Sequence, residues 1–156
     1  MSESTLQMVE MINRHLGGYN TTMGLRFVRA APDSLEAQLE IAEHHLQAYG
    51  LVHGGVLTGM IESLCSVGAA VSVLEQGKSA VGLENSTSFL RAVRSGVLHG
   101  SAHPVRLGRR SHVWEAEIRD DRGRLVATGR VRLLILEAGA QADGEPVRLD
   151  FSSSAG

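Results

Sequence analysis

The sequence predicts an α+β fold in which one long central helix is wrapped by a strongly curved antiparallel sheet. Three observations carry that prediction. Residues 54–76 are apolar nearly all round the helical wheel, so this helix needs cover on more than one side. Two strand-like segments precede it and four follow it. Short glycine-containing turns separate the last four, as in hairpins of antiparallel neighbours.

Each element has its own signal. Leu6, Met8, Val9, Ile12 and Leu16 approach helical spacing, which predicts a short amphipathic helix over 5–16 within an N-terminal segment 1–20. The main domain is expected over 21–137. Leu25, Phe27 and Ala30 alternate with polar or smaller neighbours, and Pro32-Asp33 marks a turn. Leu35, Ala37, Leu39 and Ile41 then alternate with Glu36, Gln38 and Glu40, the pattern of a strand with one wet face. Residues 43–53 fit no period and predict a loop that includes His44 and His45. The long helix runs from Gly54 to about Gln76 and stops at Gly77-Lys78, with glycine at the expected C-terminal position. Strands follow over 79–91, 96–107, 110–119 and 124–136, with turns at Ser95-Gly96, Gly108 and Asp121-Arg122-Gly123. Beyond Leu136 the composition shifts to Glu, Ala, Gly, Gln, Asp and Ser, and a mobile tail is expected over 138–156.

A chain of 156 residues has room for one domain. Hydrophobic residues at 43% and charged residues at 21% are ordinary for a soluble globular protein. A formal net charge of −2 excludes both a globally basic nucleic-acid binder and an acidic solvating chain. The single cysteine, Cys65, excludes an internal disulfide framework and Cys-based zinc patterns, and it suits a reducing compartment. The N-terminus has no signal-peptide pattern, and no run of ~20 apolar residues predicts a membrane span. The expectation is a cytoplasmic protein with no membrane, nucleic-acid, metal or cofactor partner. Eighteen glycines against three Phe, two Tyr and one Trp predict a core of small aliphatic side chains. His99 and His103 share a strand face without an evident third ligand and read as non-metal residues. No nucleophile elbow, Walker loop, dinucleotide fingerprint or H-E-x-x-H occurs.

One residue does not fit its surroundings. Of the 31 residues between Glu43 and Glu75, only Glu62 is Asp, Glu, Lys or Arg, and it sits in the middle of the apolar helix. An unpaired carboxylate there is costly. It either faces solvent, belongs to a structural hydrogen-bond network, or serves a site. Thr58, Glu62 and Ser66, spaced i, i+4, i+8, form a narrow polar stripe that reads as one wall of a site.

His53-Gly54-Gly55 begins the same helix, where the first N–H groups lack intrahelical partners and the dipole favours negative charge. Two glycines there permit tight packing. They equally permit a ligand to approach the backbone, either a phosphate or a carbonyl oxygen gaining negative charge in a reaction. Glu62 lies eight residues beyond Gly54, ~12 Å along the axis. One carbonyl cannot touch both in one chain, whereas two antiparallel copies of the helix would bring them together. Gly59, Ser63 and Gly68 are small enough for such packing, which predicts a homodimer with composite sites. Finally, residues 85–114 contain no Asp or Glu but include Arg91, Arg94, Arg106, Arg109 and Arg110. These are either solvated strand ends or partners for a phosphate-bearing ligand.

The run Gln47-Ala48-Tyr49-Gly50-Leu51-Val52-His53-Gly54-Gly55, with Glu62 and Ser66 after it, resembles the hotdog-fold acyl-CoA thioesterases. It is most similar to the PaaI-like branch, which includes the Arthrobacter-type 4-hydroxybenzoyl-CoA thioesterase and menaquinone-pathway enzymes. Ala80-Val81-Gly82, Ser88-Phe89-Leu90-Arg91, Gly108-Arg109-Arg110 and the Asp121–Leu125 hairpin fit as well. The resemblance covers about residues 20–136. It implies hydrolysis of an aromatic or medium-chain acyl-CoA by Glu62, acting as nucleophile or general base. It further implies that the Gly54 N–H and Gln47 contact the thioester carbonyl, that His53 helps place it, and that Ser66 assists water or Glu62. Phe89, Arg91, Arg109 and Arg110 are expected to contact CoA; some relatives carry histidine where this chain has Phe89. Sheets joined in dimers, and dimers paired into tetramers, are implied too. The alternatives are a non-catalytic acyl-CoA-binding regulator and a hydratase on the same fold; the Asp/His pair usual for the hydratase is not found.

Overall fold

The computed structural model describes residues 3–149, with side chains from residue 5. Helix α1 (Glu3–Arg14) is followed by an unforeseen short helix α2 (Gly17–Met23), closed by Gly24 in the left-handed region at φ 74°. Strands β1 (Arg26–Ala31) and β2 (Ser34–Glu40) form the hairpin expected about Pro32-Asp33. A 3-10 turn (Glu43–His45) and an irregular loop lead to the long helix α3 (Gly54–Val73), extended by a 3-10 turn to Gln76 and ended by Gly77 at φ 67°. Strands β3 (Ser79–Phe89), β4 (Val97–Leu107), β5 (Ser111–Arg119) and β6 (Leu125–Leu136) follow. All six strands pair antiparallel in one sheet, in the order β1-β2-β4-β5-β6-β3. This is the hotdog fold. Register shifts at 27/29, 82/84, 104/106 and 118/119 add local bends that help the sheet curve round the helix.

The core lies between the sheet and one side of α3. Leu57, Met60, Ile61, Leu64, Cys65 and Ala69 are buried there against Phe27, Leu35, Leu39, Leu98, Ile118, Val131 and Leu133. Trp114 is the one large aromatic at the centre besides Phe27, and Gly68 makes room for it: a Cβ on Gly68 would stand 2.6 Å from the indole ring. The 23-residue span 54–76, with mean hydropathy 1.6, is by length and composition apolar enough to cross a membrane, contrary to the expectation from the sequence. Its fold explains the composition otherwise, since half of its most apolar stretch is buried in the chain's own core.

The N-terminal segment is welded to the domain. Asn13 bonds both Phe27 backbone groups, accepting from N–H (2.9 Å) and donating to C=O (2.8 Å), and Ile12 is buried. The small residues of α3 are also spent within the chain, which corrects the expectation that Gly59, Ser63 and Gly68 serve a second helix. Gly59 lies under the Tyr19 hydroxyl, Ser63 donates to Asn20 at 2.6 Å, and Gly68 meets Trp114. A tail expected from Ala138 onward is instead a small hairpin over part of its length. Strands β7 (Gln141–Ala142) and β8 (Glu145–Pro146) pair about Asp143-Gly144, and Ser79 Oγ donates to Val147 C=O at 2.8 Å. Residues 150–156 lie outside the described residues.

Candidate active site

The stripe of Thr58, Glu62 and Ser66 faces β3. Glu62 is half-buried, and both of its carboxylate oxygens are held: Ser66 Oγ donates to Oε1 at 3.0 Å and Asn85 Nδ2 donates to Oε2 at 2.8 Å. Asn85 is itself oriented, because its Oδ1 accepts from Thr87 Oγ1 at 2.7 Å. Gly82 lies opposite the carboxylate, where a Cβ would come within 2.5 Å of Oε1. The glycine is what allows the strand to pass so close. Asn85 and Gly82 were not foreseen as site residues. An asparagine inside a strand is a disfavoured choice, and that was the available signal.

The second group sits at the N-terminus of α3. His53 caps the helix, with Nδ1 accepting from Gly55 N–H at 2.8 Å. With Nδ1 so engaged, the neutral ring carries its proton on Nε2. The Gly54 N–H, the first of the helix, has no hydrogen-bond partner among the described residues. The exposed Phe89 ring packs on the Gly54 Cα, leaving no room for a Cβ. Gln47 is half-buried in the preceding loop, where its side-chain oxygen accepts from Tyr49 N–H. That loop is tied by the Leu46–Val52 bridge and by Arg94, which donates to the Tyr49 and Gly50 carbonyls at 2.8 and 3.2 Å. Arg94 therefore positions the loop rather than standing free, a role its sequence context did not reveal.

Within one chain the two groups stay apart. Glu62, Ser66 and Asn85 form one; Gln47, His53, Gly54 and Phe89 form the other, about two turns and ~12 Å along α3. The arginines are divided as well. Arg91 follows β3 and bonds through its N–H to Val126 C=O, at the start of β6. Arg109 and Arg110 occupy the β4–β5 turn beside Ile135, at the far end of β6, nine residues and ~30 Å away. All three are exposed. The chain alone does not gather them into one phosphate cradle.

Other titratable groups near the helix are structural. Burial, and secondarily the charge of Glu62, pushes the Cys65 thiol far up, so it is not a nucleophile. His45 is buried and binds Ala42 N–H through Nδ1 (2.9 Å) and Met23 C=O through Nε2 (2.8 Å). His99 pairs with Asp121 at 3.0 Å and His103 with Glu115 at 3.8 Å.

A carboxylate steadied by two donors can act as a base or nucleophile, and a helix-start N–H without a partner can stabilise an oxyanion. Such groups on a hotdog fold suit one class, the hydrolases of activated acyl groups. The comparisons with known proteins show the family. The family model described as thioesterase superfamily matches residues 49–127. A Mycobacterium tuberculosis protein named as an esterase, Rv1847, is 43% identical over 122 residues, covering 77% of this chain and 87% of its own. Its solved structure superposes with a TM-score of 0.75, covering 77% of this chain and 97% of that one. The 1,4-dihydroxy-2-naphthoyl-CoA hydrolase of Escherichia coli is 36% identical over 114 residues, 73% of this chain and 83% of that protein. The thioesterase HI1161 of Haemophilus influenzae, 27% identical, superposes with a TM-score of 0.77 over 88% of this chain and 93% of its own. The chain belongs to the thioesterase superfamily and is a hydrolase of that family.

Proposed function

We propose that the protein hydrolyses an acyl-CoA thioester to free acid and CoA, with Glu62 as nucleophile or general base. The observation that carries this is the Glu62 carboxylate itself, held at both oxygens by Ser66 and Asn85 opposite Gly82. As a nucleophile Glu62 attacks the thioester carbon and CoA leaves as the thiolate; water then cleaves the anhydride. As a base it takes a proton from the attacking water and the proton passes to the departing sulfur. On either route the carbonyl oxygen gains negative charge, which the Gly54 N–H of a second copy stabilises. His53 and Gln47 flank that position, and Phe89, Arg91, Arg109 and Arg110 receive CoA. The V-H-G-G run with Glu62 and Ser66 supports a place in the PaaI-like branch. The lone buried thiol, Cys65, supports a cytoplasmic setting.

A two-fold partner supplies the missing half. The outer side of β3 is a free edge of eleven residues, too long to be left unpaired without cost. Along β3, Gly82 and Asn85 stand by Glu62 while Phe89 stands by Gly54. An antiparallel β3–β3 contact with its axis near Ser86 or Thr87 therefore sets each Glu62 beside the other copy's Gly54. Dimers of this kind are our reading of the assembly, with tetramers as pairs of them.

Glu62→Gln keeps size and one hydrogen-bonding oxygen but removes basicity. It is expected to lower kcat for acyl-CoA at least ~10²-fold with the melting temperature retained. Acyl-CoA bound but never hydrolysed, by the unaltered chain as well, would support the non-catalytic regulator instead.

A further inference from the structure

We infer that the groove between α1 and α3 is the acyl channel and that it selects an unsubstituted aliphatic acyl chain of medium length; this rests on Glu62 being the group that attacks or activates water. The groove has a volume of about 230 Å³ and opens beside Ser66, the residue whose hydroxyl bonds Glu62 at 3.0 Å. Glu62 itself does not line the groove; Ser66 belongs to both, so an acyl group whose carbonyl carbon lies at the Glu62 carboxylate reaches the groove past Ser66. From Ser66 it follows α3 past Val67, Ala70 and Val71 to Leu74, with Ile12 and Leu16 on the opposite wall and Leu149 of the C-terminal segment also lining it.

The length of the groove sets the chain it can take. Ser66 to Leu74 is eight residues of helix, ~12 Å. An extended chain advances ~1.2 Å per bond, as the backbone does over three bonds per residue, which gives about ten carbons.

The chemistry of the walls selects against polar substituents. Besides Ser66, the polar side chains bordering the groove are His15 and Asn20. The Asn20 amide donates to Leu16 C=O at 3.0 Å and accepts from Ser63 Oγ at 2.6 Å, and His15 is likewise engaged. A ring hydroxyl or a terminal carboxylate there would meet mostly apolar side chains. A methylene chain is not penalised, and each methylene buried adds binding. The C-terminal segment contributes directly, since Leu149 lines the groove.

Thiol release by the full chain from butyryl-, octanoyl-, decanoyl-, tetradecanoyl-, benzoyl- and 4-hydroxybenzoyl-CoA tests this. We expect kcat/KM to rise about fourfold per methylene taken in and to level off near ten carbons. Benzoyl-CoA is expected to fall below octanoyl-CoA, and 4-hydroxybenzoyl-CoA lower still. Ala70→Phe, which fills the groove, should reduce the octanoyl-to-butyryl ratio at least ~tenfold. Leu149→Ala, on an exposed side chain that folding does not need, should move the levelling-off to longer chains and decides the matter if Ala70→Phe does not fold. A flat chain-length profile, a preference for 4-hydroxybenzoyl-CoA, or ratios unmoved in folded variants overturns the channel. These failures differ from failure of the catalytic reading, which would appear as undiminished hydrolysis by Glu62→Gln on every substrate.

Discussion

Glu62 is exceptional for its neighbours as much as for its charge. Ser66 lies one turn on along the same helix, whereas Asn85 and Gly82 arrive from β3. A second carboxylate, Asp120, shows the opposite use of a buried acid. It anchors the β5–β6 turn, accepting from the N–H groups of Arg122 and Arg124 at 3.0 Å each and from Arg124 Nε at 2.7 Å. The Arg124 guanidinium beside it, helped by those N–H groups, holds its carboxyl down to about 2. An unfolded Asp120 would titrate near 3.8, so between these values the unfolded chain binds the extra proton. The stability Asp120 contributes is therefore present above about pH 4 and lost as pH falls towards 2. In melting curves, the gap between the native chain and Asp120→Asn should be constant from neutral pH to about 5 and should close below about 4. A gap of full size at pH 3 would contradict this account.

At the scale of elements, α3 combines three tasks on three faces. One face fills the core, one carries Thr58, Glu62 and Ser66 towards β3, and one borders the groove under α1. Its glycine at position 68 belongs to the first task. Trp114 is fully buried and cannot retreat, so Gly68→Ala, despite the better helix propensity of alanine, forces the ring or the helix to move. The expected cost is about 1–3 kcal/mol, a fall in melting temperature of several degrees for a domain of this size. A rise would mean that the ring has space to shift. The same faces show what could be read beforehand and what could not. Length, burial and the stop at Gly77 were legible because they depend on the helix's own residues. The neighbours of Gly59, Ser63 and Gly68 were not, because a small residue marks a close approach without naming what approaches. Tyr19, Asn20 and Trp114 come from segments far away in sequence or from a short helix with no apolar period of its own.

The whole molecule holds two groups of candidate site residues per chain that do not meet. The free β3 edge and the ~12 Å between Gly54 and Glu62 together demand a second copy if both halves act on one carbonyl. Mixing the inactive Glu62→Gln chain with a chain inactivated at His53 should then restore part of the activity, because one site in each hybrid dimer has every native group. Subunit exchange is followed independently by mass spectrometry of differently tagged chains. Exchange with no recovery would mean that each site is contained in one chain. The same assembly bears on the arginines. Arg91 and Arg109-Arg110, ~30 Å apart on one sheet, can serve one CoA only across a subunit boundary.

The sequence by itself determined the fold class, the order of the six strands in the chain, the long apolar helix and its stop, and the singular charge of Glu62. These depend on periodicity, on turn chemistry and on the cost of a lone carboxylate among apolar residues, all of which are local. Only the tertiary structure decided that Asn85 and Gly82 complete the Glu62 pocket, that Arg94 ties down the Gln47 loop, and that residues 138–149 include a hairpin. It alone revealed a groove beside Ser66 under α1. Those facts follow from which strand lies beside which helix turn, and packing between distant segments sets that, not the spacing of residues along the chain.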